Sequence, residues 1–279
     1  MNMHGHVPSL IPSRDGGQSF EVISGLCDSG VIIIADHASN AMPAEFASLG
    51  LESGQLERHI AYDIGVESLV RAMAERLRAP AVLSRFSRLL IDPNRGDDDP
   101  TQVMRLSDGA IVPGNAGIDQ QGIHERMRRF SLPYHAAVSA TIDAMLTAGV
   151  IPAIVSIHSF TPFMKGVERP WHVGILWDSD PRLPLALLDV LRRDPTLVVG
   201  DNEPYDGALA GDTMARHCIG RGLAHILIEV RQDLIAAQDS AVAWGHRLAD
   251  DLGPLLQRPE MHQIRPFGSR AGSFDTEQS

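Results

Sequence analysis

Short runs of consecutive apolar residues alternate along the chain with stretches whose apolar positions recur every three or four residues. "GVIIIADH" (30–37), "IPAIVSIH" (151–158) and "LAHILIEV" (223–230) are continuous runs, the pattern of strands buried on both faces. "VESLVRAMAERLRA" (66–79) instead puts Val66, Leu69, Val70, Met73, Ala74 and Leu77 on one face at helical spacing. "AVLS" (81–84), "RLLID" (88–92), "HVGILWD" (172–178) and "TLVVG" (196–200) read as further strands. Helices are predicted from near Pro133 to a stop at Gly149, over "RLPLALLDVLRR" (182–193), over "GDTMARHCIGRG" (211–222) and over 240–256. Strands that alternate with helices predict an α/β fold: a mixed, mostly parallel central sheet with helices on both faces.

Both ends of the chain lack this periodicity. Residues 1–20 and 258–279 are polar and rich in Gly and Ser, and are expected to be disordered, which leaves 21–257 as a single catalytic domain. The 279 residues suffice for one large core, and 44% hydrophobic with 21% charged residues is ordinary for a globular chain. A formal net charge of −11 with a single lysine, Lys165, argues against a nucleic-acid partner. Aromatic residues at 5% are too few to favour stacking platforms for sugars or single strands. No apolar run approaches the roughly 20 residues needed to cross a bilayer, and the first residues lack a signal-peptide pattern, so a cytoplasmic location is expected with no membrane partner. Cys27 and Cys218 lack CxxC spacing and read as reduced thiols.

In a parallel α/β sheet, functional groups gather beyond the carboxyl ends of the strands. Four predicted ends carry polar groups: Asp36, His37 and Asn40 after the first run; Asp92, Asn94 and Arg95 after "RLLID"; His158; and Glu229 with Arg231. Each has a structural alternative. A lone histidine is commonly a hydrogen-bonded core residue, Glu229 and Arg231 could form a local ion pair, and "DPNR" could be an ordinary turn. Taken together, two imidazoles and a side-chain oxygen suit Zn²⁺ and leave a fourth position for water. Glu229 nearby could take the proton of that water, and an arginine fork suits a substrate carboxylate. The set therefore points to metal-assisted hydrolysis of a small, acidic molecule. The signatures G-x-S-x-G, G-x-G-x-x-G, the P-loop and H-E-x-x-H are absent from the sequence. Ser159 beside His158 points to the opposite strand face, which disfavours a nucleophile–base pair.

The segments "DHASNAMP" (36–43), "AYDIG" (61–65), "SRLLIDPNR" (87–95), "SIHSFTP" (156–162), "DNEPY" (201–205) and "RGLAHILIEVRQDLI" (221–235) resemble, in order, the N-formylglutamate amidohydrolase family. That family is similar in architecture to zinc exopeptidases of the carboxypeptidase type. The resemblance implies that His37 and His158 are metal histidines, that Asn94 and Arg95 clamp a carboxylate and that Glu229 is the general base. It also implies a zinc-exopeptidase-like fold. The carboxypeptidase pattern has a glutamate ligand where this chain has Asn40, so the third ligand is expected to be Asp63, with Asp36 and Asn40 as alternatives. Asp63 could equally cap the helix that starts near Val66. The implied reaction is hydrolysis of N-formyl-L-glutamate, or a related N-acyl amino acid, with Zn²⁺ or another divalent metal. Arg231 or Tyr205 would contact the second carboxylate or the oxyanion. The alternatives are a carboxypeptidase-like peptidase and a catalytically silent metal- or ligand-binding protein.

Overall fold

The computed structural model describes residues 19–52 and 54–272. The expected disordered N-terminal segment therefore lies, up to residue 18, outside the described residues.

A seven-stranded sheet forms the centre: β1 (Phe20–Ile23), β2 (Val31–Ala35), β3 (Ala81–Ser84), β4 (Ala153–Phe160), β5 (Val173–Leu176), β6 (Val199–Asp201) and β7 (His225–Arg231). Their spatial order is β1-β3-β2-β4-β7-β5-β6. β3, β2, β4 and β7 run parallel to one another, so their carboxyl ends share one edge. β1 is antiparallel to β3, and β5, which carries β6 beside it, is antiparallel to β7. The sheet is thus mixed and mostly parallel.

The continuous apolar runs bury both faces, and strand alternation divides them. Val31, Ile33, Ala35, Val155, Ile157, Ile226 and Ile228 pack with α1 (Val66–Leu77), α3 (Arg182–Leu191) and α4 (Gln238–Leu252). Ile32, Ile34, Val82 and Ile154 face the other way, against Tyr134, Val138, Ile142 and Met145 of α2 (Leu132–Thr147). Each fully buried Ile or Leu contributes roughly 1.5–3 kcal/mol relative to an exposed one, which is why these runs tolerate almost no polar residue before their ends. No helix among the described residues is long and apolar enough to cross a membrane.

Three expectations are corrected. "RLLID" is not a strand; residues 87–92 form turns in which Leu89, Leu90 and Ile91 are buried. Their backbone is pinned by loop bonds, with Arg88 N donating to Ala61 O and Asp92 N to Gln102 O, because apolar burial alone does not distinguish a strand from a packed turn. The helix over "GDTMARHCIGRG" is only a short stretch that ends in a π-helical turn, Ala215–Ile219. Residues 258–272, expected to be disordered, pack on the body: Met261 is fully buried, the His262 ring bridges the carbonyls of Ile151 and Leu256, and Arg270 pairs with Asp206. Residues 273–279 lie outside the described residues.

Gly65 ties the "AYDIG" segment to this frame. Its φ of 84° is left-handed, and a Cβ there would lie 2.1 Å from the carbonyl oxygen of Ile235. Gly65→Ala is expected to cost at least about 2 kcal/mol, from the left-handed backbone and the clash together, and to shift the preceding Asp63. Urea denaturation and metal content of the purified variant check both effects.

Candidate metal and active site

Asp36 and His37 follow directly on β2, and a backbone bond from Asp63 N to His37 O, 2.9 Å, fixes the "AYDIG" loop against that strand end. Ser87 donates through its backbone N to Ala41 O and through Oγ to Ala61 O at 2.8 Å, which draws the "SRLLIDPNR" segment to the same place. His158 and Glu229 are register partners on the adjacent parallel strands β4 and β7. Five segments far apart in sequence therefore converge at one sheet edge.

There His37, Asp63 and His158, all buried, place one ligand atom each within 4.8 Å of one another. The two imidazole rings meet edge to face, with centroids 4.9 Å apart. His158 Nδ1 lies 3.0 Å from Asp63 Oδ2, and His37 Nδ1 lies 3.4 Å from the same oxygen. The opposite ring nitrogens are anchored elsewhere: His158 Nε2 on Asp36 at 3.1 Å, His37 Nε2 on Asp92 at 2.7 Å. Carboxylates behind the histidines turn both Nδ1 atoms toward Asp63, the arrangement that orients imidazoles at metal centres.

The unsatisfied atoms test whether a metal fits. His37 Nδ1, Asp63 Oδ1 and Glu229 Oε2 are buried without a hydrogen-bond partner, although buried polar groups are normally paired. Two imidazole nitrogens and a carboxylate oxygen are a donor set that suits Zn²⁺ with an open position.

Asp36, Asp92 and Asp63 differ in their supports. Asp36 accepts from Tyr134 OH at 2.9 Å and Thr213 Oγ1 at 2.7 Å as well as facing His158. Burial opposes its ionisation, but the His158 bond and charge prevail and hold it at about 2. Asp92 receives Arg88 at 2.6 Å, and despite full burial Arg88 and His37 hold it well below the usual carboxylate range. Asp63 is kept low against burial by His37 and His158. His158 is raised well above its ordinary value, because its bonds to Asp36 and Asp63 outweigh burial. Glu229 goes the other way: burial pushes it up to about 7.

Of the residues singled out in the sequence, the structure brings His37, Asp63, His158, Glu229, Asn94, Arg95 and Tyr205 to the walls of one cavity of about 840 Å³. Asp63 does not cap α1; Gly65 occupies the cap position and makes no side-chain cap bond. Asn40 is turned away, donating to Leu56 O at 2.9 Å. Asp36 lies behind His158, facing the nitrogen remote from Asp63. Asn94 Oδ1 accepts from Thr213 N, and among the described residues Arg95 is held by the carbonyl of Asn94 and a loose contact of 3.9 Å to Asp99. Arg231 is not among the cavity-lining residues; it pairs with Asp233 and reaches the backbone carbonyls of residues 169–171.

Two lining residues were missed from sequence. Arg88 is 3.6 Å from Asp63 Oδ1, and its place four residues before Asp92 in a quoted motif was an available signal. His59 Nδ1 also lies 3.6 Å from that oxygen, and burial lowers it to about 4, so it stays neutral. Its place four residues before Asp63 was the corresponding local signal.

A metal entering this cluster must displace the proton that Asp36 and Asp63 hold on His158. Because the His158 pKa is raised, affinity should climb as pH rises toward that pKa, by as much as about tenfold per unit, with close to one proton released per metal bound. Zinc calorimetry at pH 7 in buffers of different ionisation enthalpy measures the release. A count near zero contradicts a protonated His158.

The family model of N-formylglutamate amidohydrolase matches residues 29–236 of the chain. Among solved structures, the gene product Atu2144 from Agrobacterium tumefaciens is 33% identical with a TM-score of 0.82, and the alignment covers 88% of this chain and 97% of that one. The N-formylglutamate amidohydrolase from Ralstonia eutropha JMP134 shares the fold with a TM-score of 0.57 at 20% identity, over 83% of this chain and 97% of that one. No curated protein matches the chain. With three quarters of its length under one family model, the chain belongs to the N-formylglutamate amidohydrolase family and is a hydrolase of amide bonds.

Proposed function

We propose that the protein is a metal-dependent amidohydrolase that cleaves N-formyl-L-glutamate or a closely related N-acyl amino acid to a carboxylate and a free amine. The observation that carries this reading is the unpartnered Glu229 Oε2 beside the His37–Asp63–His158 cluster, in a cavity that also contains Arg95. His37 Nδ1, His158 Nδ1 and Asp63 would hold the ion. A divalent metal bound there would polarise the scissile carbonyl and acidify water.

The chain's own groups supply the rest. Glu229, with a pKa pushed to about 7, is poised to take a proton from water at Oε2 and return it to the departing nitrogen. Arg95, with the Asn94 carbonyl at 2.9 Å and a loose contact to Asp99, has donors left for a substrate carboxylate, and Asn94 lines the cavity beside it. Arg88, partly buried and fixed by Asp92, lines the same cavity and would stabilise negative charge on the carbonyl oxygen, the role that Arg231 was considered for. The cavity is of a size that accepts drug-like ligands, so a larger acyl group or a short peptide is a second substrate class.

Glu229→Gln should keep its zinc and lose about 10²- to 10⁴-fold in kcat, followed as formate release from N-formyl-L-glutamate. His158→Ala should lose the zinc itself. Zinc-loaded wild type that turns over no N-acyl amino acid or short peptide would exclude the enzymatic reading. Stability should move in the opposite sense to activity. Glu229 is neutral in the folded chain up to about pH 7 but ionises near 4.5 when unfolded, so its contribution to stability is full below 4.5 and lost between there and 7. The metal-free Glu229→Gln protein should therefore be more stable than wild type at pH 8, with the gain vanishing toward pH 4; thermal melts across that range test it.

A further inference from the structure

Among the buried arginines, Arg169 stands apart. Only 7% exposed, it pairs with no carboxylate among the described residues. Arg88 meets Asp92 at 2.6 Å and Arg182 meets Asp180 at 2.5 Å. Arg126 also lacks a carboxylate, but it donates to Leu90 O at 2.8 Å and Asn115 Oδ1 at 2.7 Å. Its contacts are two marginal ones at 3.5 Å, to the carbonyl and hydroxyl of Thr161, together with the Met164 sulfur and the side chains of Tyr205 and Phe160, none of them an anion. A permanently charged fork withdrawn from water without an anion is costly unless a ligand supplies one.

Arg169 is not itself among the cavity-lining residues, but its immediate neighbours are. The guanidinium lies 4.9 Å from the centroid of the Tyr205 ring, and Tyr205, Thr161 and Met164 all line the cavity. His59, another lining residue, lies within its field. Arg169 closes a hairpin, Phe163–Met164 with Val167–Glu168, through its backbone N on Pro162 O at 2.8 Å. Arg231 reaches the carbonyl of Arg169 at 3.3 Å and so braces the segment from behind.

We propose that Arg169 receives the second anionic group of the substrate, the side-chain carboxylate of a glutamate-type N-acyl amino acid, while Arg95 takes the α-carboxylate. Tyr205 is the platform that orients the fork. Arg169 thereby sets the preference for dianionic over monoanionic substrates, an assignment that rests on the amidohydrolase reading above. A planar guanidinium suits a carboxylate and serves a neutral amide of the same shape poorly.

N-formyl-L-glutamate and N-formyl-L-glutamine, nearly identical in shape, isolate that charge. The zinc-loaded wild type should prefer the glutamate by about 100-fold in kcat/KM, mostly through KM. Arg169→Gln should bring the ratio close to one, and Arg169→Lys should restore about tenfold of it. A merely structural arginine would lower both substrates together, so an unchanged ratio in Arg169→Gln overturns the assignment. Calorimetric binding of the same pair to Glu229→Gln protein separates the two readings. Preferential binding of the glutamate, lost in the Glu229→Gln/Arg169→Gln double variant, supports Arg169 even if wild type turns over neither compound. Equal binding of the two compounds refutes it.

Discussion

Everything at this site depends on how three buried carboxylates are held. Asp36, Asp63 and Asp92 sit at 2% exposure or less, where an isolated anion would be intolerable, and they face one guanidinium and two imidazoles. The pairing is not balanced: among the described residues Arg88 is the only permanent cation bonded to them, and the other cationic partners are imidazoles that must be protonated to carry charge. That deficit is what makes the cluster receptive to a divalent ion. The same bonds remove the freedom of the rings, because Asp36 and Asp92 each capture the Nε2 of one histidine and leave the Nδ1 atoms aimed at Asp63.

The scaffold makes the cluster affordable. Parallel β2, β4 and β7 finish at one edge, and the loops after them are stitched together by backbone bonds rather than by side chains alone. Tyr134 of α2 and Thr213 close over Asp36 from the outer layer, so the helix that packs the sheet also braces the residue behind His158. A core substitution in α2 would therefore be felt at His158 through two hydrogen bonds.

Glu229 shows the cost of placing a carboxyl in such a setting. It lies on a strand whose neighbouring cavity residues, Leu227 and Leu176, are apolar and directly paired in register. Burial there lifts the carboxyl to about 7, which favours proton exchange near neutral pH and disfavours folding there. Reactivity and strain on the fold share one origin.

The chain's alternation of apolar runs and helical faces was enough to indicate the α/β class, a mostly parallel sheet and the strand ends at which His37, His158 and Glu229 stand, because burial on both faces forces continuous hydrophobicity that stops where a strand reaches solvent or a site. It was not enough for "RLLID", where Leu89, Leu90 and Ile91 are equally buried in turns, nor for β1, a short edge strand without a periodic signal. Local sequence left Asp63 suspended between helix cap and ligand; the Gly65 turn decided, by taking the cap position and sending the carboxylate inward. Arg231 looked like a site residue because two-residue spacing puts it on the same strand face as Glu229, yet Asp233 and the backbone of 169–171 draw it aside. Arg88 and His59 each stand four residues from an aspartate of the cluster, but that they and Arg169 gather at one cavity follows only from the folded arrangement. Periodicity records which residues are buried; only the tertiary structure decides which buried charges find a partner and which are left waiting for one.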